Sequence, residues 1–477
     1  MPKRFTIVNA IPYVNSRPHV GFALELVQSD TLARYHRAQG KEVIYTTGTD
    51  ENAVKNVQAA EKTGRPVEEF VEEHAEVFRQ LNTALNISAD EFIRTTEERH
   101  IIGAQKLWKA CDAAGDIYKK SYQGLYCVGC EQFYTPKELV DGLCPEHKTK
   151  PELVEEENYF FRLSKYQDKI LQLLESDEIK ITPSSRKNEI TEFIKQGLED
   201  FSISRSNARA KNWGISVPGD DTQKIYVWFD ALTNYINALG YGTDEKKFAT
   251  WWNESYRTHM IGKGIGRFHA IYWPAMLLSA GVALPNEIFI HGYVTVNGEK
   301  ISKTLGNVID PFEVVQKYGV DAVRYYLLRE IPSSGDGDFS YAKLEARYTG
   351  DLANNLGNLV SRVLKLRETK LQKLDENLIE SSVQEQINYI ANQYKERIGE
   401  FKLHEALAKI FDLFTFANGY INEKAPWKEK DQEKIDTAIM NALYLIQRGA
   451  ELLKPFLPET AEKILKGGGG PLFPKLP

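Results

Sequence analysis

Val294-Thr-Val-Asn-Gly-Glu-Lys-Ile-Ser-Lys-Thr-Leu-Gly-Asn307 is the stretch on which both fold and chemistry turn. A β-patterned run, Ile288-Phe-Ile-His-Gly-Tyr-Val-Thr-Val296, feeds a loop with Gly298 before it and Gly306 after it. The loop carries Lys300, Ser302 and Lys303. Two ammonium groups between glycines suit a loop that closes over phosphates, where cations meet charge developing on transfer. Two lysines taken alone are more often a solvated basic turn. The choice depends on what else the chain places near them.

At the other end of the α/β pattern, Phe5-Thr-Ile-Val8 reads as a short buried strand. Asn9 to Arg17 is a loop, and an amphipathic helix follows to about Gln39, with Asn15 and Ser16 as cap candidates and Pro18 near its first turn. Glu42 to Thr47 is a second β-rich run ending in Thr47-Gly-Thr-Asp-Glu51, and helical periodicity covers about Asn52 to Ala114. Strand, loop, helix and strand in this order predict a doubly wound parallel sheet, in which ligands collect at strand carboxyl ends. Pro12-Tyr-Val-Asn-Ser-Arg-Pro-His-Val-Gly21 then puts His19 in the first turn of a helix. Helix N-termini attract anions, an imidazole there donates to phosphate oxygen, and Gly21 lets a ligand approach the backbone. A His-x-Gly helix after the first strand and a Lys-x-x-Lys loop after the last would lie at the same sheet edge and bracket one triphosphate.

Patterning divides the 477 residues into four stretches. Residues 1–115 are the first half of an α/β (Rossmann-like) catalytic domain, and 116–214 are an insertion holding three of the four cysteines. The α/β pattern returns over 215–331, from Lys224-Ile-Tyr-Val-Trp-Phe-Asp230 through the lysine loop. Residues 332–477 open with a linker by composition, Pro332-Ser-Ser-Gly-Asp-Gly-Asp338, and continue as an all-α helix bundle with a C-terminal tail. The length allows about three domains. The formal charge of −6 gives no global attraction to nucleic acid, so any RNA site must be a local basic face. The start of the chain does not read as a signal peptide. The most apolar run, Ala270 to Leu284, is broken by Pro274, Ser279 and Gly281, so it reads as a buried helix and no membrane partner is expected. Four cysteines do not make a disulfide scaffold at this size, and the expected compartment is the cytoplasm.

Cys127-Val-Gly-Cys130 and Cys144-Pro-Glu-His147, thirteen residues apart, carry the paired spacing of one tetrahedral zinc ion. The alternative is a redox Cys-x-x-Cys beside an unrelated pair. Four protein ligands leave no open position, so the zinc is expected to be structural, one Zn2+ per chain. Cys111 lies outside the set and reads as a buried helix cysteine.

The histidine and lysine elements together resemble the two signatures of class I aminoacyl-tRNA synthetases. Pro12-Tyr-x-Asn, Gly48-Thr-Asp-Glu51, Tyr226-Val-Trp-Phe-Asp-Ala231, Gly262-Lys263, Phe268-His269 and Trp273-Pro274 are similar to the methionyl branch, and the likeness runs essentially end to end. That resemblance implies a methionine pocket of Ala10, Ile11, Tyr13, Trp228, Ala231, Leu232, Tyr235, Ile265 and His269. It implies that Asp50 receives the substrate ammonium and that Arg205 belongs to the active site. His19, Gly21, Lys300, Ser302 and Lys303 are the implied ATP contacts, with His19, Asp50, Arg205, Lys300 and Lys303 as the catalytic set. The cysteine pairs resemble the single zinc knuckle of the family's connective insertion. Asn358, Arg362 and Trp427 match its anticodon contacts. Asn358 and Arg362 are spaced to share a helix face, and five cations against one acid lie between Arg362 and Lys373.

What this implies is methionine activation by ATP, with Mg2+ bridging its phosphates, followed by transfer of L-methionine to tRNA(Met). Aromatic walls suit a polarisable thioether, and a carboxylate suits an ammonium. Positioning and charge stabilisation carry such a reaction without a protein nucleophile. Phe22 replaces the second signature histidine of the family pattern, Asn52 a histidine and Gly264 an aspartate, while Ile301 and Thr304 are mild changes in the lysine loop. A degenerate synthetase that only binds RNA is disfavoured by the intact His19, Asp50, Lys300 and Lys303. A relative for another apolar amino acid would carry a larger editing insertion than roughly 100 residues allow. A monomer is expected, because the chain stops soon after the bundle.

Overall fold

Six strands make the central sheet of the computed structural model, which describes residues 2–129, 132–134, 136–146, 148–301, 307–468 and 471–476. Gln132, Lys137 and Lys300 are described in backbone only, and Cys130, His147, Ser302 and Lys303 lie outside the described residues. The strands stand in the order Glu91–Arg94, Glu42–Thr49, Arg4–Asn9, Tyr256–Gly262, Glu287–His291, Lys180–Thr182. Arg4–Asn9 runs parallel to both neighbours, pairing Val8 with Thr46 and with His259. Glu42–Thr49 is parallel to Glu91–Arg94, and Glu287–His291 to Lys180–Thr182. Ile7, Val8, Tyr45, Ile261 and Ile288 are almost wholly buried, the continuous apolar burial expected of a parallel sheet covered on both faces. The first strand lies between the strands that follow it on one side and those from the far end of the pattern on the other. The switch point therefore falls between Arg4–Asn9 and Tyr256–Gly262, where Ala10 N donates to Met260 O at 3.1 Å.

The chain groups into two compact units. One holds Met1–Pro18, Lys41–Gln80 and Ala89–Ile290; the other holds His19–Gly40, Leu81–Ser88 and His291–Pro477. The first contains the sheet and an antiparallel layer in which Ile117–Cys127 pairs along its whole length with Glu152–Phe161, flanked by Gln132–Tyr134 and Phe201–Ser202. Lys180–Thr182 lies within the 116–214 stretch and yet forms the edge of the parallel sheet. In the second unit, helices from Tyr341 onward include Asn358–Lys370, Ser381–Gly399, Leu403–Lys424 and Gln432–Leu453, whose Leu359, Val363, Leu407, Phe414 and Leu445 are buried. The Val20–Ala38 helix belongs to this unit. Its Asp30 pairs with Arg324 at 2.8 Å, and Arg324 also donates to the carbonyls of Leu85, Pro455 and Phe456. Burial opposes the Asp30 charge, but Arg324, Arg34 and Ser88 hold its carboxyl below the usual range. Among the described residues no helix is long and apolar enough to cross a membrane.

Three local expectations are corrected. The helical stretch Asn52–Ala114 breaks into Val54–Thr63, Val67–Ala84 and Glu98–Ala113, with the Glu91–Arg94 strand between the last two. Four residues with only Ile93 fully buried are too short for a period of two to be read. Neither Asn15 nor Ser16 caps the first helix, because His19 does. The segment 332–338 is more than a linker. Gly337–Phe339 pairs in parallel with Val294–Val296, Ser333 accepts from Gln28 at 3.3 Å, and a Cβ on Gly292 would meet Gly335 O at 2.2 Å. Side-chain composition cannot reveal pairing made by backbone groups.

Candidate functional site

Within the first unit, the residues assigned to a methionine pocket come from three places at the sheet's switch point. Ala10, Ile11 and Tyr13 follow the Arg4–Asn9 strand. Trp228, Ala231, Leu232 and Tyr235 come from the short helices after Ile225, and Ile265 and His269 follow Tyr256–Gly262. Ala10, Trp228 and Ile265 pack against one apolar cluster that contains Leu232 and Tyr235. Trp228 lies flat on Phe268, centroids 3.8 Å apart and planes 4° from parallel, and stands edge-on to His269. His269 Nδ1 meets Ile265 O at 2.9 Å, and its Nε2 meets the Tyr235 hydroxyl at 2.6 Å. A carbonyl only accepts, so Nδ1 carries the proton and Tyr235 donates to Nε2. Burial pulls the His269 pKa down to about 4, against a small opposing pull from the Ile265 carbonyl. His259, which sequence reading missed, stands edge-on to Tyr235 at 4.5 Å with both ring nitrogens buried and unpartnered among the described residues. In sequence it stands beside Arg257 and Thr258, so nothing in the local pattern singled it out.

Asp50 ends the turn after Glu42–Thr49 and is almost wholly buried, its N–H donating to Pro12 O at 2.9 Å. That turn is held by neighbours the sequence did not single out. Glu51 accepts from Arg94 at 2.7 and 2.9 Å, from Thr96 at 2.5 Å and from Thr49 at 2.7 Å. Asn52, one of the departures from the family pattern, donates to Thr95 O and to Asp230 at 2.7 Å, and Asp230 meets His100 Nε2 at 2.5 Å. This buried network ties the Asp50 turn to the helix that carries Trp228. Nothing in the structure accounts for Gly264.

Arg205 sits on the Ser204–Ser206 strand, opposite Lys224. Its Nη1 donates to Ser202 Oγ at 2.9 Å and Ser204 O at 2.7 Å, and its guanidinium lies 4.3 Å from the Tyr226 ring. It lines a cavity of about 220 Å³ together with Asn52, Arg209, Trp213 and Val227. Among the described residues, Arg205 is the one assigned site residue that lines this cavity.

The second unit holds the histidine and lysine elements. His19 is the N-cap of Val20–Ala38, its Nδ1 accepting from Gly21 N at 3.0 Å. That bond leaves the proton on Nε2, where it points a neutral donor outward. Burial lowers the His19 pKa, which favours the same neutral form. Gly21 makes room for the imidazole itself, because a Cβ there would lie 2.8 Å from His19 Cε1. The same Cβ would lie 4.0 Å from Val294, so the helix start lies beside the strand leading to the lysines. Val294–Val296 pairs antiparallel with Glu299–Lys300 across a turn with Asn297 and Gly298 at φ 55° and 75°. The placement of Ser302, Lys303 and the Lys300 side chain lies outside the described residues.

In the helix bundle, Arg362 and Trp427 are brought together, the guanidinium 5.9 Å from the indole, with Trp427 39% exposed. Asn358 is exposed one turn before Arg362. Arg362 donates to Asn422 at 2.7 Å and Asn418 at 2.8 Å. Those two asparagines were not foreseen, although their i, i+4 spacing on one helix is a legible signal. In the antiparallel layer Cys127 and Cys144 are buried in one small cluster with Tyr134, whereas Cys130 and His147 lie outside the described residues. Cys111 is buried apart from them, and burial pushes its thiol up to about 12.

A parallel sheet with its site at the switch point, a histidine-capped helix and a lysine hairpin define the class I tRNA synthetases. The family model for tRNA synthetases class I (M) matches residues 5–150 and 134–364, and that for the anticodon binding domain of methionyl tRNA ligase matches 373–469. The chain is 42% identical to the methionine–tRNA ligase of Brucella suis biovar 1, over 97% of this chain and 91% of that one. It is 41% identical to that of Thermotoga maritima, over 97% and 75%. The solved Mycobacterium tuberculosis methionyl-tRNA synthetase in complex with methionyl-adenylate superposes with a TM-score of 0.91 at 38% identity, covering 97% of this chain and 93% of that one. The chain belongs to the methionine–tRNA ligases of this class.

Proposed function

We propose that the chain activates methionine with ATP and transfers it to the 3′ end of tRNA(Met), with the residues assigned above as its working parts. The observation that carries this reading is likeness over nearly the whole length to methionine–tRNA ligases. In the first step the methionine carboxylate attacks the ATP α-phosphorus and pyrophosphate leaves. In the second, a terminal ribose hydroxyl of the tRNA attacks the adenylate carbonyl and AMP leaves. Asp50 receives the substrate ammonium, and Trp228, Tyr235 and His269, with Ala10, Ile11, Tyr13, Ala231, Leu232 and Ile265, wall the thioether. Neutral His19 donates from Nε2 to a phosphate oxygen, while Lys300 and Lys303 meet the charge on the departing pyrophosphate. Ser302 and Gly21 border the ATP, Arg205 steadies the adenylate side, and Mg2+ would accompany ATP and offset its phosphate charge.

The four functional stretches follow the boundaries 1–115, 116–214, 215–331 and 332–477. Cys127, Cys130, Cys144 and His147 would hold zinc, which would cross-link the insertion without taking part in the chemistry. The joint burial of Cys127 and Cys144 with soft sulfur donors supports that assignment. About one zinc per chain should be found by metal analysis and lost on Cys144→Ser; native protein without zinc removes the assignment. Asn358, Arg362 and Trp427 read the anticodon, the enzyme acts as a monomer in the cytoplasm, and no membrane is involved. The deciding experiment is ATP–pyrophosphate exchange with methionine against leucine, isoleucine, valine and cysteine. Exchange should depend on methionine; exchange with none of the five, or with another in preference, overturns the reading.

A further inference from the structure

The lysine signature leaves the fold through a very small platform. Its own strand, Glu299–Lys300, is two residues long and lies at the edge of a three-stranded sheet, with Val294–Val296 in the middle and Gly337–Phe339 on the other side. Two residues of edge strand give too few ladder bonds to set the direction of the chain that follows. The turn before it, Asn297–Gly298 with both residues at positive φ, is the two-residue kind that fixes hairpin register. What holds this turn is a side chain from the third strand. Asp338 Oδ1 accepts from Gly298 N at 2.8 Å and from the Thr295 hydroxyl at 2.8 Å. The Gly298 N–H does most to keep this carboxyl below its usual range, so the group is an anion joining the Val294–Val296 strand to the turn that follows it.

The strand that carries Asp338 is itself fixed at both ends. Gly337 N donates to Tyr293 O at 3.0 Å, and Asp336 accepts from Tyr293 N at 2.8 Å. Beyond it, Phe339 packs edge-on against Tyr326, whose hydroxyl accepts from Ser340 N at 2.8 Å. Asp338 thus stands on a clamped strand and reaches across to the turn that launches the lysines.

Resting on the function proposed above, we propose that Asp338 is a positioning residue for adenylate formation, acting through the Asn297–Gly298 turn to aim Lys300 and Lys303. Catalysis by charge stabilisation is sensitive to donor placement, and a misplacement of about 1 Å costs up to about a hundredfold. The test is methionine-dependent ATP–pyrophosphate exchange on the full chain, paired with amide hydrogen exchange at Gly298. Asp338→Ala should lower kcat by about tenfold while KM for methionine stays within about twofold. Asp338→Asn keeps an acceptor oxygen facing Gly298 and Thr295 and should recover most of that loss. In a Lys303→Ala background, Asp338→Ala should remove little more, because both act on one step through one element. The Gly298 amide should exchange at least about tenfold faster in Asp338→Ala.

Unchanged kcat, or losses that simply multiply with Lys303→Ala, overturn the proposal. Should Asp338→Ala fail to fold, Thr295→Val removes the hydroxyl partner and must show the same kcat-only loss. A wild-type chain without methionine-dependent exchange defeats the proposed function instead. The hairpin claim is then decided by Gly298 exchange alone, and an amide no faster in Asp338→Ala overturns it.

Discussion

Trp228 is pressed flat on Phe268, and Tyr235 is tied to His269 inside a buried aromatic cluster; the turn at Asn297–Gly298 depends on one carboxylate from a neighbouring strand. The aromatic cluster is held by packing, in which many small contacts share the work and each ring is fixed by several others. The lysine hairpin is held by a few charge-assisted hydrogen bonds to backbone, where one side chain carries a large share. The same contrast runs through two histidines. His269 is buried and takes its Nε2 partner from a tyrosine, whereas His19 is half-buried and takes its Nδ1 partner from the backbone of the helix it caps. Recognition of an apolar side chain needs a fixed shape. Handling of phosphate needs donors whose direction is set but whose tips are left available.

The largest expected effect breaks the phosphate side alone. Lys303→Ala should slow pyrophosphate exchange by about a hundredfold, the cost of roughly 3 kcal/mol for a lost transition-state donor. Methionine affinity, read by equilibrium binding without ATP, should stay nearly constant. Exchange within a few-fold of wild type would show that the loop is not catalytic.

The next effect breaks the methionine side alone. Tyr235→Phe removes the donor to His269 Nε2 and leaves a buried acceptor unsatisfied, at about 1–3 kcal/mol. Methionine KM should rise by about tenfold or more while KM for ATP moves little. If the ATP constant moves as much as the methionine constant, the two sides are not held independently.

Trp427→Ala tests a third region that both sides should ignore. Loss of one stacked base costs ~1–3 kcal/mol, or roughly tenfold and upward in tRNA affinity. Aminoacylation should fall, tRNA-independent exchange should not, and tRNA with an altered anticodon should be rejected less well. Equal charging of normal and altered tRNA by wild type and variant alike would remove the anticodon assignment.

The smallest effect sharpens the histidine contrast. With a pKa lowered by burial to about 4, His269 is neutral across the working range. Its bond from Tyr235 is present above that value and is lost only as pH falls through it. Methionine binding should therefore be flat from about pH 5.5 to 8. A titration near pH 6.5 that disappears in His269→Gln would contradict the buried, neutral assignment.

Much of this was legible in the chain. Val8, Ile44 and Ile288 sit in apolar runs that could only be buried strands, and helical period in the last third led to helices there. Glu91–Arg94 was not legible, since a four-residue edge strand has no period to see. Gly337–Phe339 was hidden because its Gly, Asp and Ser neighbours read as a linker, while its pairing is made by main-chain groups. Gly21 reads as an opening for ligand; that its missing Cβ also makes room for the His19 imidazole as a cap was not legible, because that contact depends on how the side chain folds back.

By itself the sequence determined the residue types, the order of the elements and the family resemblance, because periodicity and motif spacing are local properties of the chain. Tertiary structure alone decided that Asn52 bonds Asp230, that Asn418 and Asn422 hold Arg362, and that Asp338 reaches the turn before Lys300. Those partners are separated by 178, 60, 56 and 40 residues. A hydrogen bond depends on distance and angle in space, and no pattern along the chain records which distant atoms folding brings within 3 Å.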